Sequence, residues 1–255
     1  MLRIAQINDT HEGITKPKTI RHLLLKLKEE KFDLLLHCGD YCGGIMGYKT
    51  VRSTVKLIRE IFPDKPYVTV IGNHDYWCMN KGGQQYTSPA SFFENYAKIL
   101  QIFSQYKVWF LDQQGPYRQN DVVLVGHSGW YMNRQIMSES NDFLYLPIGI
   151  NGDTQSYMLK RAMSGLYRNL DELTDEEKKK KTLVFVSHMP VIKTPTCDAS
   201  FDIFGWSASL GEMLQRDYGI KYFFNGHAHQ EHKGPLRWES GSDYFKPKYQ
   251  IVEIR

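Results

Sequence analysis

Tyr67-Val68-Thr69-Val70-Ile71-Gly72-Asn73-His74-Asp75 is the stretch from which the rest of the chain is read. Its first five residues form an apolar run, the composition of a buried strand. The next four are compact and polar, able to bind metal or move protons. Four other apolar runs end in the same way. Leu2 to Ile7 runs into Asn8-Asp9-Thr10-His11, and Phe32 to His37 into Gly39-Asp40. Thr182 to Val186 runs into Ser187-His188, and Lys221 to Phe224 into Asn225-Gly226-His227-Ala228-His229. Open α/β folds build their sites where strand ends converge, so these five ends are expected to meet.

Between the runs lie helical patterns. Pro17 suits a first helical turn, and Ile20, Leu23, Leu24 and Leu27 follow at helical spacing. Val51, Val55, Ile58, Ile61 and Phe62 form a second apolar face that Pro63 terminates. Further helices are expected over 90–104, over 153–173 (Leu159, Ala162, Met163, Leu166 and Leu170 inward) and over 207–218. Lys107 to Leu111, Val122 to Val125 and Tyr249 to Ile254 read as additional strands. The alternation implies an α/β fold with a substantial parallel sheet. Residues 76–89 and 131–152 lack a period; the second stretch reads as a rim or lid beside the site. Lys178 to Lys181 read as a solvated helix end.

At 255 residues, with no linker, repeat or low-complexity segment, a single domain over 1–255 is expected. The balance of 32 Lys+Arg against 28 Asp+Glu, net +4, is too mild for a surface that wraps nucleic acid. Cys38, Cys42, Cys78 and Cys197 form no CxxC pair and read as reduced thiols. The first strand leaves no room for a signal peptide, and no apolar run approaches the ~20 residues of a membrane span. The expected location is cytoplasmic, with no membrane partner.

The strand ends carry Asp9, His11, Asp40, Asn73, His188, His227 and His229 as candidate metal ligands, with His74 and Asp75 beside them. Carboxylate, amide oxygen and imidazole without thiolate suit Mn, Fe or Zn. Seven ligands exceed what one catalytic ion with an open position takes; they suffice for two ions that share a carboxylate. Gly39, Gly72 and Gly226 precede Asp40, Asn73 and His227 and let backbone approach a crowded centre. Any one of these residues alone reads as a turn former, a cap or an ordinary histidine. The set is informative only jointly.

In order and spread, the five blocks D-x-H, GD, GNHD, H and GHxH resemble those of the calcineurin-like metallophosphoesterase superfamily. That resemblance implies a two-sheet β-sandwich with helices on both sides. It implies one metal on Asp9, His11, Asp40 and His229, and a second on Asp40, Asn73, His188 and His227, with Asp40 bridging. It further implies attack by a metal-bridging hydroxide, His74 as general acid and Asp75 orienting it. Two departures argue against a protein Ser/Thr phosphatase: Gly39-Asp40 continues as Tyr41-Cys42-Gly43 without the Asp-Arg-Gly ending, and Asp75 stands where those enzymes have Glu. The set is closer to phosphodiesterase and small-molecule branches, with a diester or small phosphorylated metabolite, or a nucleotide phosphoester, as substrate. The alternatives are a nuclease, for which no DNA-guiding surface is evident, and a non-catalytic metal-binding scaffold, which would be expected to lack a ligand or the acid. His127 is open between site and structure; His22, His37 and His232 read as structural, and Cys42 as packing. Trp77, Trp130 and Tyr131 read as packing, with base stacking as the alternative, and Arg134 and Lys193 are the cations that loop position offers to phosphate.

Overall fold

The structure is a computed structural model that describes residues 1–43, 47–76, 89–130, 154–192, 207–234, 237–242 and 244–255. The first sheet has five strands in the order β11-β1-β2-β3-β4: β1 Leu2–Ile7, β2 Leu34–Cys38, β3 Tyr67–Val70, β4 Trp109–Phe110 and β11 Tyr249–Ile254. The second has six in the order β5-β6-β7-β8-β10-β9: β5 Tyr117–Gln119, β6 Val122–Gly126, β7 Thr182–Val186, β8 Tyr222–Phe224, β9 Glu231–Lys233 and β10 Arg237–Ser240. β1 to β4 run parallel and so do β6, β7, β8 and β10, while β11, β5 and β9 pair antiparallel at the edges. The helices are α1 Pro17–Lys28, α2 Tyr48–Ile61, α3 Asn73–Tyr76, α4 Pro89–Gln105, α5 Leu111–Gln114, α6 Thr154–Asp171, α7 Asp175–Lys180 and α8 Ala208–Tyr218.

The unbroken apolar runs are explained by two separate cores. Leu34, Leu36, Val68 and Val70 of the first sheet pack with Leu124, Val184, Val186 and Phe224 of the second. The alternate residues Ala5, Ile7, Leu35 and Tyr67, and Val123, Val125, Leu183 and Phe185, pack with the helices, among them Ile20, Leu24, Val55, Ile58, Ala162 and Leu166. The inner strands β2, β3 and β6 are buried at every position, so period 2 disappears from the sequence there. The expected two-sheet sandwich flanked by helices is the observed fold.

The expected helices and strands lie within a few residues of their observed bounds. Lys107 to Leu111 is the exception: its ladder covers only Trp109 and Phe110, and Leu111 opens a short helix. Strands β5, β9 and β10 had no counterpart in the sequence reading. Lys178 to Lys180 end α7, whose Thr174–Glu177 capping box closes its N-terminus and which buries no residue. Residues 77–88 and 131–153, with Trp77, Cys78, Tyr131 and Arg134, lie outside the described residues, as do Lys193 and Cys197. Trp130 is fully buried against Tyr76 and is packing. Among the described residues no helix is long and apolar enough to cross a membrane.

Candidate metal centre

β1 and β2 end at Ile7 and Cys38, but their loops stay zipped together. Asp9 N donates to Gly39 O at 3.0 Å, His11 N to Asp40 O at 3.1 Å and Glu12 N to Tyr41 O at 2.8 Å. The loops turn sharply where ligands are needed. Asp9, His11, Asp40, His227 and His229 all have left-handed backbone, with φ between 44 and 72°, a conformation that costs a non-glycine residue about 1–3 kcal/mol and gathers at functional sites. Gly39 and Gly226 are packed so closely that a Cβ would lie 2.6 Å from His188 Nδ1 and 2.8 Å from Asp9 Oδ2. A Cβ on Gly72 would collide with the Asp40 carboxylate.

All seven sequence-derived ligands meet at one place. Asp9, His11 and His229 form one group and Asp40, His188 and His227 another, the donor atoms of each lying within 4.8 Å of one another. His11, Asp40 and His74 form a third such group. Asp40 Oδ2 sits 3.4 Å from His188 Nε2, 3.9 Å from His11 Nε2 and 3.9 Å from His74 Nε2, so one carboxylate oxygen faces both groups. Asn73 Oδ1 is 3.0 Å from His188 Nε2. Imidazole nitrogens also face each other, His11 Nε2 and His229 Nε2 at 3.2 Å and His188 Nε2 and His227 Nδ1 at 3.2 Å. Nitrogens turned on one another around buried carboxylates are the arrangement of a ligand set for cations, and this donor set fits two ions better than one.

The loop 38–42 governs both halves. His188 Nδ1 donates to Cys38 O at 2.7 Å and His11 Nδ1 to Cys42 O at 3.3 Å. A carbonyl only accepts, so each ring carries its hydrogen on Nδ1 and turns Nε2 to the centre. Both thiols are buried, and Cys42 is packing as expected. Asp75 differs from expectation. Its oxygens accept from Cys42 N and Gly72 N, each at 2.9 Å. It therefore steadies the two ligand-bearing loops through their backbone rather than gripping the His74 ring. His74 N in turn donates to Asp40 Oδ1 at 3.0 Å.

On the other side His227 N donates to Asp9 Oδ1 and Oδ2 at 3.2 and 3.1 Å. Beneath it lies a buried network that the sequence reading missed. Arg237 reaches Glu239 at 2.8 Å and Asn225 at 2.7 Å, Asn225 Nδ2 donates to Glu239 at 2.8 Å, and Gln230 N to Glu239 at 3.3 Å. The network clamps both ends of the segment that carries His227 and His229. His37 is structural as expected, stacked on Tyr41 at 3.7 Å and accepting from Gly39 N at 3.1 Å. His127 is buried beside Asp112, at 3.3 Å, and belongs to none of the ligand groups.

The charges reinforce one another. Burial alone would raise the Asp40 and Asp9 carboxyls, but the surrounding imidazoles, His188 for Asp40 and His229 for Asp9, outweigh it and hold both well below the usual range. Burial disfavours the charged form of His188, yet the Asp40 carboxylate wins and raises it to about 10. His74 moves the other way: burial pushes it down to about 4 against the pull of Asp40, below the near-neutral titration expected of a general acid. Burial, then the charge on Asp40, lifts Asp75 to about 8.

The family model for calcineurin-like phosphoesterases matches residues 2–231. No curated protein matches the chain. Among solved structures, a Thermus thermophilus protein is 9% identical with a TM-score of 0.59, covering 100% of this chain and 99% of its own. A dimetal phosphatase of Danio rerio is 12% identical with a TM-score of 0.54, covering 93% and 86%. At these identities the two structures speak for the fold. The family rests on the sequence model, which spans all five strand ends, Asp9 to His229. The chain belongs to the calcineurin-like phosphoesterase family.

Proposed function

We propose that the protein is a metal-dependent phosphoesterase working with two ions on a phosphate mono- or diester, with a diester, a nucleotide or a small phosphorylated metabolite favoured over a phosphoprotein. The observation that carries this reading is the position of Asp40 Oδ2, within 4 Å of His11, His74 and His188 at once. Asp9, His11, Asp40 and His229 would hold one ion, and Asp40, Asn73, His188 and His227 the other. Mn, Fe or Zn suits these donors. Bound there, the ions supply Lewis acidity toward phosphoryl oxygens and an acidified water as nucleophile.

The chain's own groups do the rest. Cys38 O and Cys42 O fix the tautomers of His188 and His11, so Nε2 of each is presented without a search among ring orientations. Asn73 contributes a neutral oxygen, which limits the negative charge that an anionic substrate meets. His74 lies at the edge of the cluster with its Nε2 near Asp40, and its proposed role is that of the acid. At rest burial keeps the ring neutral; an incoming phosphate anion adds negative charge that favours uptake of a second proton, from solvent or from the phosphate itself, and the imidazolium gives the Nε2 proton to the departing oxygen. The filled ligand and acid positions favour catalysis over a scaffold role. The cytoplasm is the proposed location.

A Mn-supplemented screen across monoesters, cyclic nucleotides and linear diesters, with single-stranded DNA included, tests the reading. Turnover of one small-ester class, with DNA untouched, is expected. Cleavage of DNA alone would make the protein a nuclease, and no turnover of bis(p-nitrophenyl) phosphate or p-nitrophenyl phosphate would favour the scaffold.

A further inference from the structure

One aromatic ring stands over the centre from outside the matched family region. The match ends at residue 231, and Tyr244 lies in the connection between β10 and β11. Its ring centroid is 4.5 Å from that of His11 at a 35° tilt, 4.9 Å from His229 and 6.4 Å from His74. It thus borders the Asp9–His11–His229 half of the cluster and the proposed general acid together. It also remains 36% exposed, and Phe245 beside it is 64% exposed.

The connection that presents these rings is pinned at several points. Ser242 Oγ donates to Lys248 O at 3.0 Å and accepts from Lys248 N at 2.9 Å, which closes the base of the loop. Phe245 N donates to Thr15 Oγ1 at 3.2 Å, which ties the tip to the segment following His11. Asn8, adjacent to Asp9, accepts from Ser240 N at 3.2 Å. Phe245 itself is held at φ 66°, a strained conformation for an aromatic residue. A half-open ring fixed so firmly beside the leaving-group acid is poorly explained as cover for the core.

We propose that Tyr244 is a specificity-determining residue: its ring is the platform on which a planar group carried by the leaving alcohol, a nucleobase or an aryl ring, stacks beside His74. The proposal rests on the phosphoesterase reading of the site and on the placement of His74 at the leaving oxygen. It narrows the substrate class to nucleotide or aryl phosphoesters over esters of aliphatic polyols. Aromatic stacking on a base is sequence-tolerant and contributes enough to change affinity by about tenfold.

Adenosine 5′-monophosphate and ribose 5-phosphate share the same phosphate and the same primary alcohol and differ by the base. Their dissociation constants are measured by calorimetry on Mn-loaded wild type, Tyr244→Phe, Tyr244→Leu and Tyr244→Ala, each in a His74→Ala background expected to keep its ions without turning the nucleotide over, with bound Mn quantified in each. Wild type and Tyr244→Phe are expected to bind the nucleotide about tenfold more tightly than the sugar phosphate. Tyr244→Leu and Tyr244→Ala are expected to bind the two alike, with ribose 5-phosphate affinity and Mn content unchanged. Equal binding of the two ligands by wild type, equal weakening of both in the variants, or loss of Mn from the variants would each overturn the proposal. Because binding is read without turnover, a protein that hydrolyses no phosphoester yet keeps the Tyr244-dependent preference would sink the phosphoesterase reading and leave the platform standing.

Discussion

The two sheets bring different chemistry to the same point. The first supplies Asp9 and His11 after β1, Asp40 after β2 and Asn73 after β3, hence all the carboxylate and the amide. The second supplies only imidazole: His188 after β7, and His227 and His229 after β8. They are held differently too. The first sheet's loops are zipped through backbone hydrogen bonds and braced by Asp75; the second's rest on the buried Arg237–Glu239–Asn225 network. The contrast separates charge from scaffolding. Damage to the first sheet should remove the anchor of both ions, whereas damage to the second should first loosen the loop that presents neutral ligands.

Asp40 is where the asymmetry is sharpest. Asp40→Ala is expected to cost on the order of 10³-fold or more in kcat/KM, because the stabilisation of several kcal/mol that bound ions give the transition state is lost. Metal analysis of that variant should show both ions weakened together. Loss of one ion alone would show that the carboxylate serves a single half. Next in size is His74→Ala, which should keep its ions and lose about 10²–10⁴-fold on alkyl phosphoesters, while p-nitrophenyl esters, whose leaving group needs little protonation, are much less affected. A metal-depleted His74→Ala would contradict its assignment as the proton donor.

Glu239→Ala tests the second sheet's support. Breaking a buried pair leaves the Arg237 charge uncompensated, and about 3–5 kcal/mol of stability is expected to go with it, measured by urea unfolding of the metal-free protein. Asp75→Asn should cost about 10–100-fold in metal affinity, as for other groups that orient ligands indirectly, with the fold retained. A smaller effect distinguishes metal-free from metal-loaded protein. The folded value of His188, about 10, lies above its ordinary 6.5. Its proton therefore favours the metal-free fold fully below pH about 6.5, and that contribution is lost as pH rises through about 10. The Tm of EDTA-treated protein should fall across that window, and that of Mn-loaded protein, whose His188 Nε2 holds no proton, should not share this slope.

How much of this could be read in the sequence follows from which forces are local. α1, α2, β3 and β11 were legible because periodicity or an unbroken apolar run is written into consecutive residues. β10 was not, since Arg237 and Glu239 carry no apolar signal, and it is their ion pair and the contact with Asn225 that accompany their burial. β5 and β9 are three residues each, too short to show alternation. The seven candidate ligands were legible because each follows a strand within a short motif. Their supports were not: the carbonyls of Cys38 and Cys42 carry no side-chain signal, Asp75 acts on backbone 33 residues away at Cys42, and Tyr244 meets His11 only through the fold.

The most direct test of a centre shared between the two sheets is electron paramagnetic resonance of the metal-free protein titrated with Mn. Two ions sharing Asp40 would sit about 3.5–4 Å apart, so at two equivalents the account predicts an exchange-coupled spectrum that replaces the six-line signal of isolated Mn. An isolated signal that grows to one equivalent and never couples would contradict it.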